Sequence, residues 1–83
     1  MRELDLQKKF YLGAAQLAEK LSLTQPKARA LRVHLGVHED VSCRHVFEFD
    51  STRHPCFSDN AFRRMRETLD YLDIEEIWWA RPR

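Results

Sequence analysis

Two cysteines and two histidines stand in mirror order, Cys43-x-His45 and His54-x-Cys56, with residues 46–53 between them. Two thiolates and two imidazoles are a ligand set that tetrahedral zinc accepts. On a hairpin the four would converge only if residue 43 lay opposite 56 and residue 45 opposite 54. A tighter turn at Asp50 to Arg53 sets Phe47 opposite Cys56 instead, and that cysteine becomes a core neighbour of aromatic rings. The C-x-x-C spacing of common zinc fingers is also absent. Buried, reduced thiols are therefore the stronger reading, zinc the weaker, and no metal ligands are assigned. A cysteine and a histidine two residues apart on a strand could in principle be nucleophile and base, but no orienting group or oxyanion donor accompanies them. Gly13 and Gly36 are the only glycines, too few for a phosphate-cradling loop. The expectation is a protein without catalysis and without a cofactor.

The residues from 24 to 32 suit a different chemistry. Thr24, Gln25, Lys27, Arg29 and Arg32 would stand outward along a helix. Glutamine can bond an adenine edge in bidentate fashion and arginine a guanine edge. Gln25 and Arg29 are thus candidate base readers, whereas Lys27 and Arg32 suit phosphates, which set register. Arg44, Arg53, His54 and Arg63 extend the candidate DNA-binding set, with Arg64 and Arg66 as further backbone contacts. The formal net charge of +1 hides this grouping. Residues 24–66 hold eight Lys or Arg against five acids, with all four His; residues 67–77 hold five acids and no base. A basic body is followed by an acidic tail.

The elements that would carry these residues can be read from spacing. Eighty-three residues make one small domain. Residues 1–10 are mixed and polar, and loose structure is expected there. From Ala14 to Leu21, good helix formers place Leu17, Ala18 and Leu21 on one face. Ser22-Leu23-Thr24 interrupts them. Thr24 can cap a second helix, Pro26 fits its first turn, and Gly36 supplies a left-handed stop after Leu35. "CRHVFEFD" alternates, "STR" turns and "HPCF" returns, so residues 43–57 predict a hairpin. Pro55 then has to lie on an edge, because it cannot donate to a ladder. Ser58 caps a third helix, with Phe57 and Phe62 as a hydrophobic staple. Phe62, Met65, Leu69 and Leu72 recur along it. The expected organisation is a domain over residues 11–73, with 74–83 as an acidic and aromatic tail.

In a twenty-residue frame beginning at Ala14, Leu17 and Leu21 face inward, Ala18 permits close approach, Leu23 plugs the turn, and Ala28 and Leu31 seat the second helix. Here the chain resembles the helix-turn-helix superfamily, with Ser22 where that family favours Gly. A helix pair, then a hairpin, then a helix opening "SDNAF" resembles winged-helix domains of the MerR and phage-excisionase type. The resemblance spans roughly residues 11–72. It implies an α+β winged helix whose second helix enters the major groove of double-stranded DNA while the hairpin acts as a wing. It also implies a small regulator or recombination accessory protein of a bacterium or mobile element. The competing reading is a protein-interaction module on the same fold. The tail "DYLDIEEIWWARPR" offers Ile77, Trp78 and Trp79 as a contact surface for a second copy or another protein, unless one Trp closes the core. A homodimer would suit two half-sites. No apolar run approaches the ~18 residues of a membrane span, and no export signal opens the chain, so a cytoplasmic location with reduced cysteines is expected.

Overall fold

Ser22 has φ +57°, in the left-handed region, and this one residue sets how the first predicted helix passes to the second. The Leu23 N–H reaches back to the Ala18 carbonyl (2.9 Å) and the Ser22 N–H to the Glu19 carbonyl (3.0 Å). Both bonds together form a Schellman stop. It ends α2 (Ala14–Lys20) and turns the chain into α3 (Gln25–Leu35). The Thr24 hydroxyl accepts the Lys27 N–H, Pro26 occupies the first turn, and Gly36 closes α3 at φ 70°. The helix pair is built as its sequence predicts, with Leu17, Ala18, Leu21, Ala28 and Leu31 all buried between the helices.

The computed structural model describes residues 2–80. Besides α2 and α3 these residues form α1 (Glu3–Lys9), β1 (Leu12–Gly13), β2 (Arg44–Phe49), β3 (Thr52–Phe57), α4 (Asp59–Leu69) and α5 (Ile74–Ala80), with a 3₁₀ turn at Val37–Glu39. The described chain is a small α+β unit whose antiparallel sheet has the order β1-β3-β2. Its core joins both faces of the helix pair to Leu12, Val37, Cys43, Phe57, Ala61, Met65 and Ile77. No helix among the described residues is long and apolar enough to cross a membrane.

The hairpin forms, but its turn lies at Asp50-Ser51 rather than at Ser51 to Arg53. Both turn residues have positive φ, 51° and 65°, the primed turn whose twist matches the strands it joins. The resulting register sets His45 opposite Cys56 and Phe47 opposite His54. Neither pairing considered for the cysteines is formed, and Cys43 drops below the strand into the core. The described residues contain no cluster able to hold a metal ion. Pro55 sits in the middle strand, not in an edge strand. The Ser58 N–H donates to the Cys43 carbonyl (3.0 Å), so residues 56, 54 and 52 point their N–H groups at β2 while 57, 55 and 53 point away. β1 pairs only with Phe57 and Cys56. Pro55 thus lacks its N–H where no strand asks for one.

Three further expectations change. Residues 3–9, expected to be loose, form α1, and it leads into a buried Phe10 whose ring centroid lies 5.6 Å from that of His45. Ser58 stands at the N-cap of α4, but its hydroxyl donates to the Ser42 carbonyl (2.6 Å) instead of capping the helix. The tail is not separate. Residues 74–80 are helical, Asp73 Oδ1 accepts the Glu75 N–H (3.0 Å), and α5 lies against α3 with a Lys27–Glu75 ion pair. Residues 81–83 fall outside the described residues.

Two outcomes follow for stability. Ser22→Gly relieves the left-handed cost to a side chain, which exceeds the entropy glycine loses, and stabilises by about 0.5–1 kcal/mol. Thermal unfolding should show a midpoint higher by a few degrees; a lower one would show that Ser22 is not left-handed. In urea unfolding, Ile77→Ala should cost about 2–4 kcal/mol as a core truncation. Trp79→Ala should stay within about 0.5 kcal/mol, as for exposed sites.

Candidate nucleic-acid interface

Helix α3 divides its surface three ways. Ala28, Leu31 and Leu35 turn to the core, and Lys27 and Ala30 are half-buried on the flank nearer α5. Apart from His34, what remains open is a ridge of Gln25, Pro26, Arg29 and Val33, successive turns of one face; Val33 is 58 % exposed. Gln25 and Arg29, the two expected base readers, both stand on this ridge. Thr24 is exposed, but its hydroxyl is engaged as the cap of α3. Lys27 is drawn sideways to Glu75, so the expected phosphate contact begins in an intramolecular ion pair.

Arg32 was expected to face outward and does not. It is only 6 % exposed. One helical turn beyond Ala28, it falls on the buried side of α3, where its Cζ lies 4.8 Å from the centroid of the Phe57 ring. Its Nε donates to His38 Nε2 (3.2 Å), which fixes His38 as a neutral ring with its proton on Nδ1. Burial, then the charges of Arg29 and Arg44, push the Arg32 guanidinium down to about 10, and it remains charged at neutral pH. Burial likewise lowers His38, helped by Arg32, Arg44 and Arg29 and opposed by Glu39. His38 was not among the residues singled out from sequence. It carries no spacing signal, and only the 3₁₀ turn after Gly36 brings it back under α3.

The hairpin sorts its candidates by face. Arg44 pairs with Phe57, Val46 with Pro55 and Glu48 with Arg53; cross-strand partners share a face, and Phe57 puts this one toward α3. Arg44 and Arg53 therefore belong to the α3 side, with Glu48 directly opposite Arg53. His54 belongs to the opposite face, where Phe10, His45, Phe47, Phe49 and His54 follow one another at centroid separations of 4.6–6.1 Å. His54 is exposed, but it stands back to back with Arg53 rather than beside it.

The α4 arginines diverge. Arg63 is exposed and donates to Asn60 Oδ1, in a polar cluster that also holds Ser42 and Cys43 through Asn60 Nδ2 (2.8 and 3.5 Å). Arg64, expected as a backbone contact, is engaged within the chain. It bridges Asp40 Oδ2 and the Leu35 carbonyl, each at 2.8 Å, and so completes the last turn of α3. The Ser42 hydroxyl and N–H, with the Arg64 charge, hold the Asp40 carboxyl below the usual range. Of the expected tail contacts, Ile77 is 7 % exposed and belongs to the core, Trp78 is half-buried, and Trp79 is 68 % exposed. The structure thus sets Gln25 and Arg29 on one ridge and brings Arg29 and Arg44 near the buried Arg32. It leaves Arg53 farther out along the hairpin and sets His54 and Arg63 on other faces.

Neither the curated proteins nor the solved structures include a significant match to this chain. A family model does match, over residues 9–83, which takes in everything from the end of α1 through α5. The chain belongs to the family described as Domain of unknown function (DUF8610).

Proposed function

We propose that this protein is a non-catalytic winged helix-turn-helix domain that binds double-stranded DNA in a sequence-specific manner. The observation that carries the reading is the open ridge of α3, Gln25 to Arg29, flanked by the arginines of the hairpin's inner face. Its support in the fold is the left-handed stop at Ser22, which holds α2 and α3 as a helix-turn-helix pair. β1 adds to this by closing the hairpin into one sheet with the start of α2. A wing anchored in that way keeps a fixed distance from the reading helix, as insertion beside a groove requires. In this reading α3 lies in the major groove, Gln25 bonds an adenine edge and Arg29 a guanine edge. Arg44 and Arg53 meet phosphates. Lys27 joins them by leaving Glu75, a partly exposed ion pair that costs about 1 kcal/mol or less to break. The biological setting that fits is a small regulator or recombination accessory protein of a bacterium or mobile element.

A second reading, a protein-binding module, is favoured by one observation. Tyr71 and Trp79 are both largely exposed at the two ends of the α5 segment, and exposed aromatics of this kind are common binding anchors. A second copy of the chain docking there would also deliver two reading helices to two half-sites.

The two readings part in a duplex titration followed by fluorescence anisotropy. The DNA reading expects log-affinity to fall with log-salt at a slope near −3, about 0.9 for each of three to four neutralised phosphates. Arg29→Ala should weaken a selected site about five- to one-hundred-fold and relax preference at one base pair. Arg53→Ala should weaken all sequences evenly and lower the slope by about one. Binding that ignores salt and both substitutions, but is lost with Trp79→Ala, would overturn the DNA reading in favour of the protein module.

A further inference from the structure

Between α3 and the base of the hairpin the fold gathers more positive charge than it neutralises. Arg32 is more than nine-tenths buried, and its Nη1 has no hydrogen-bond partner among the described residues; the same holds for the buried Nε of Arg44. The Arg32 guanidinium lies by the Phe57 ring, Phe57 is the cross-strand partner of Arg44, and the Arg44 charge reaches Arg32. Arg29, a turn before Arg32 on α3, adds a third charge, felt at Arg32 and at His38. The two ion pairs among the described residues, Lys27–Glu75 and Arg64–Asp40, engage none of the three. Burying a cation without a counter-charge is costly, and three together repel one another.

We propose that this cluster is a phosphodiester site, in which Arg44, beside Arg29, holds an oxyanion at the surface over the buried charge of Arg32, and His38 takes up a proton at Nε2 as Arg32 turns its Nε–H from that ring to the anion. The proposal rests on the DNA-binding reading for the source of the phosphate. Guanidinium groups bind phosphate oxygens in paired hydrogen bonds, and a half-buried setting weakens solvent screening of the attraction. His38 is the proton-linked member. The groups facing it are Arg29 and Arg32 from α3, Arg44 from β2 and Glu39 from its own turn. Burial first, and then three cations against one carboxylate, disfavour the charged ring in the free protein. An anion seated among them reverses that balance and favours the imidazolium. Binding then strengthens as pH falls, through and below the ordinary histidine range near 6.5.

The test uses the full chain labelled with ¹⁵N. Inorganic phosphate, and separately a generic DNA duplex, are titrated at pH 7 and low salt while the Nε–H signals of Arg32 and Arg44 are followed. Saturable movement of both signals with either anion is expected. Duplex affinity is then measured at pH 7.5 and 5.5 for the wild type, His38→Gln and Arg44→Gln. A backbone phosphodiester keeps its charge across this range, so pH dependence belongs to the protein. The wild type should gain about three- to ten-fold more than His38→Gln on acidification, since one unit of pKa shift is a factor of ten. Glutamine keeps an acceptor for Arg32 Nε and cannot be charged. Arg44→Gln, at a half-buried position, should weaken both anions while the fold is retained. Duplex binding that leaves both arginine signals unmoved overturns the site and spares the DNA reading. Equal pH dependence in wild type and His38→Gln removes His38 from it. Movement with phosphate but no duplex binding keeps the oxyanion site and overturns the DNA reading, and no response to either anion overturns both.

Discussion

Phe57 holds the molecule together. It is the last residue of β3, it is almost completely buried, and it pairs with Leu12 on one side and Arg44 on the other. Through Leu12 it ties the sheet to the start of α2. Through its ring it seats Arg32 of α3. The next residue, Ser58, is locked to the loop before β2 by its N–H to the Cys43 carbonyl and its hydroxyl to the Ser42 carbonyl, and α4 starts immediately after. In a chain of this size a few such shared contacts must do the organising, because the core is too small for redundancy. The position of the hairpin relative to α3, on which any groove-reading geometry depends, is therefore set by one side chain and its two cross-strand neighbours.

The parts of this arrangement that were legible in the sequence are those determined locally. Thr24, Pro26 and Gly36 mark the two ends of α3 by their own backbone preferences, and the apolar spacing of Leu17, Leu21, Ala28 and Leu31 needs no distant partner to be read. Ser22, at a position where glycine is favoured, marked the turn without fixing its backbone. What could not be read is what tertiary packing decides. Helices α1 and α5 are seven residues each, too short to be stable on propensity alone. α1 leads into Phe10 against the outer face of the hairpin, and α5 forms by burying Ile77 beside α3. The one-residue placement of the hairpin turn was likewise open, since "DSTR" supports several turns, and it decided the fate of all four Cys and His residues. Arg32 shows the limit best. Its position on the helix repeats the spacing of Ala28, yet an arginine reads as surface until a ring and an imidazole are found beneath it.

Charge tells the same story at larger scale. The basic body and acidic tail visible in the sequence fold back on one another, because α5 carries Glu75 onto Lys27 along one flank of α3. The acidic segment is thereby placed beside the helix that bears the candidate base readers, but on the flank away from Arg29. The net charge of +1 is that of the whole chain and describes neither surface. A modest overall charge is compatible with anion binding when the cations are concentrated in one cleft and the acids are held on another face.

The cost of that concentration is what makes the cleft informative. A methionine or leucine at position 32 would fill the same space over Phe57 without desolvating a charge, and exchanges of buried ions for apolar residues often stabilise a fold. Arg32 instead keeps a cation under the surface and, among the described residues, donates only its Nε–H, to a side chain whose own charging is opposed by burial and by the same cations. Within the chain this arrangement is unfavourable. It becomes favourable when an anion completes it: the oxyanion satisfies the Arg44 guanidinium and offsets the buried charge. The same negative charge offsets that of a protonated His38, whose Nε2 then no longer accepts from Arg32 Nε. A groove-reading helix gains from such a site in a specific way. One phosphate fixed beside Arg29 and Arg44 sets the helix in register with the duplex before any base edge is read.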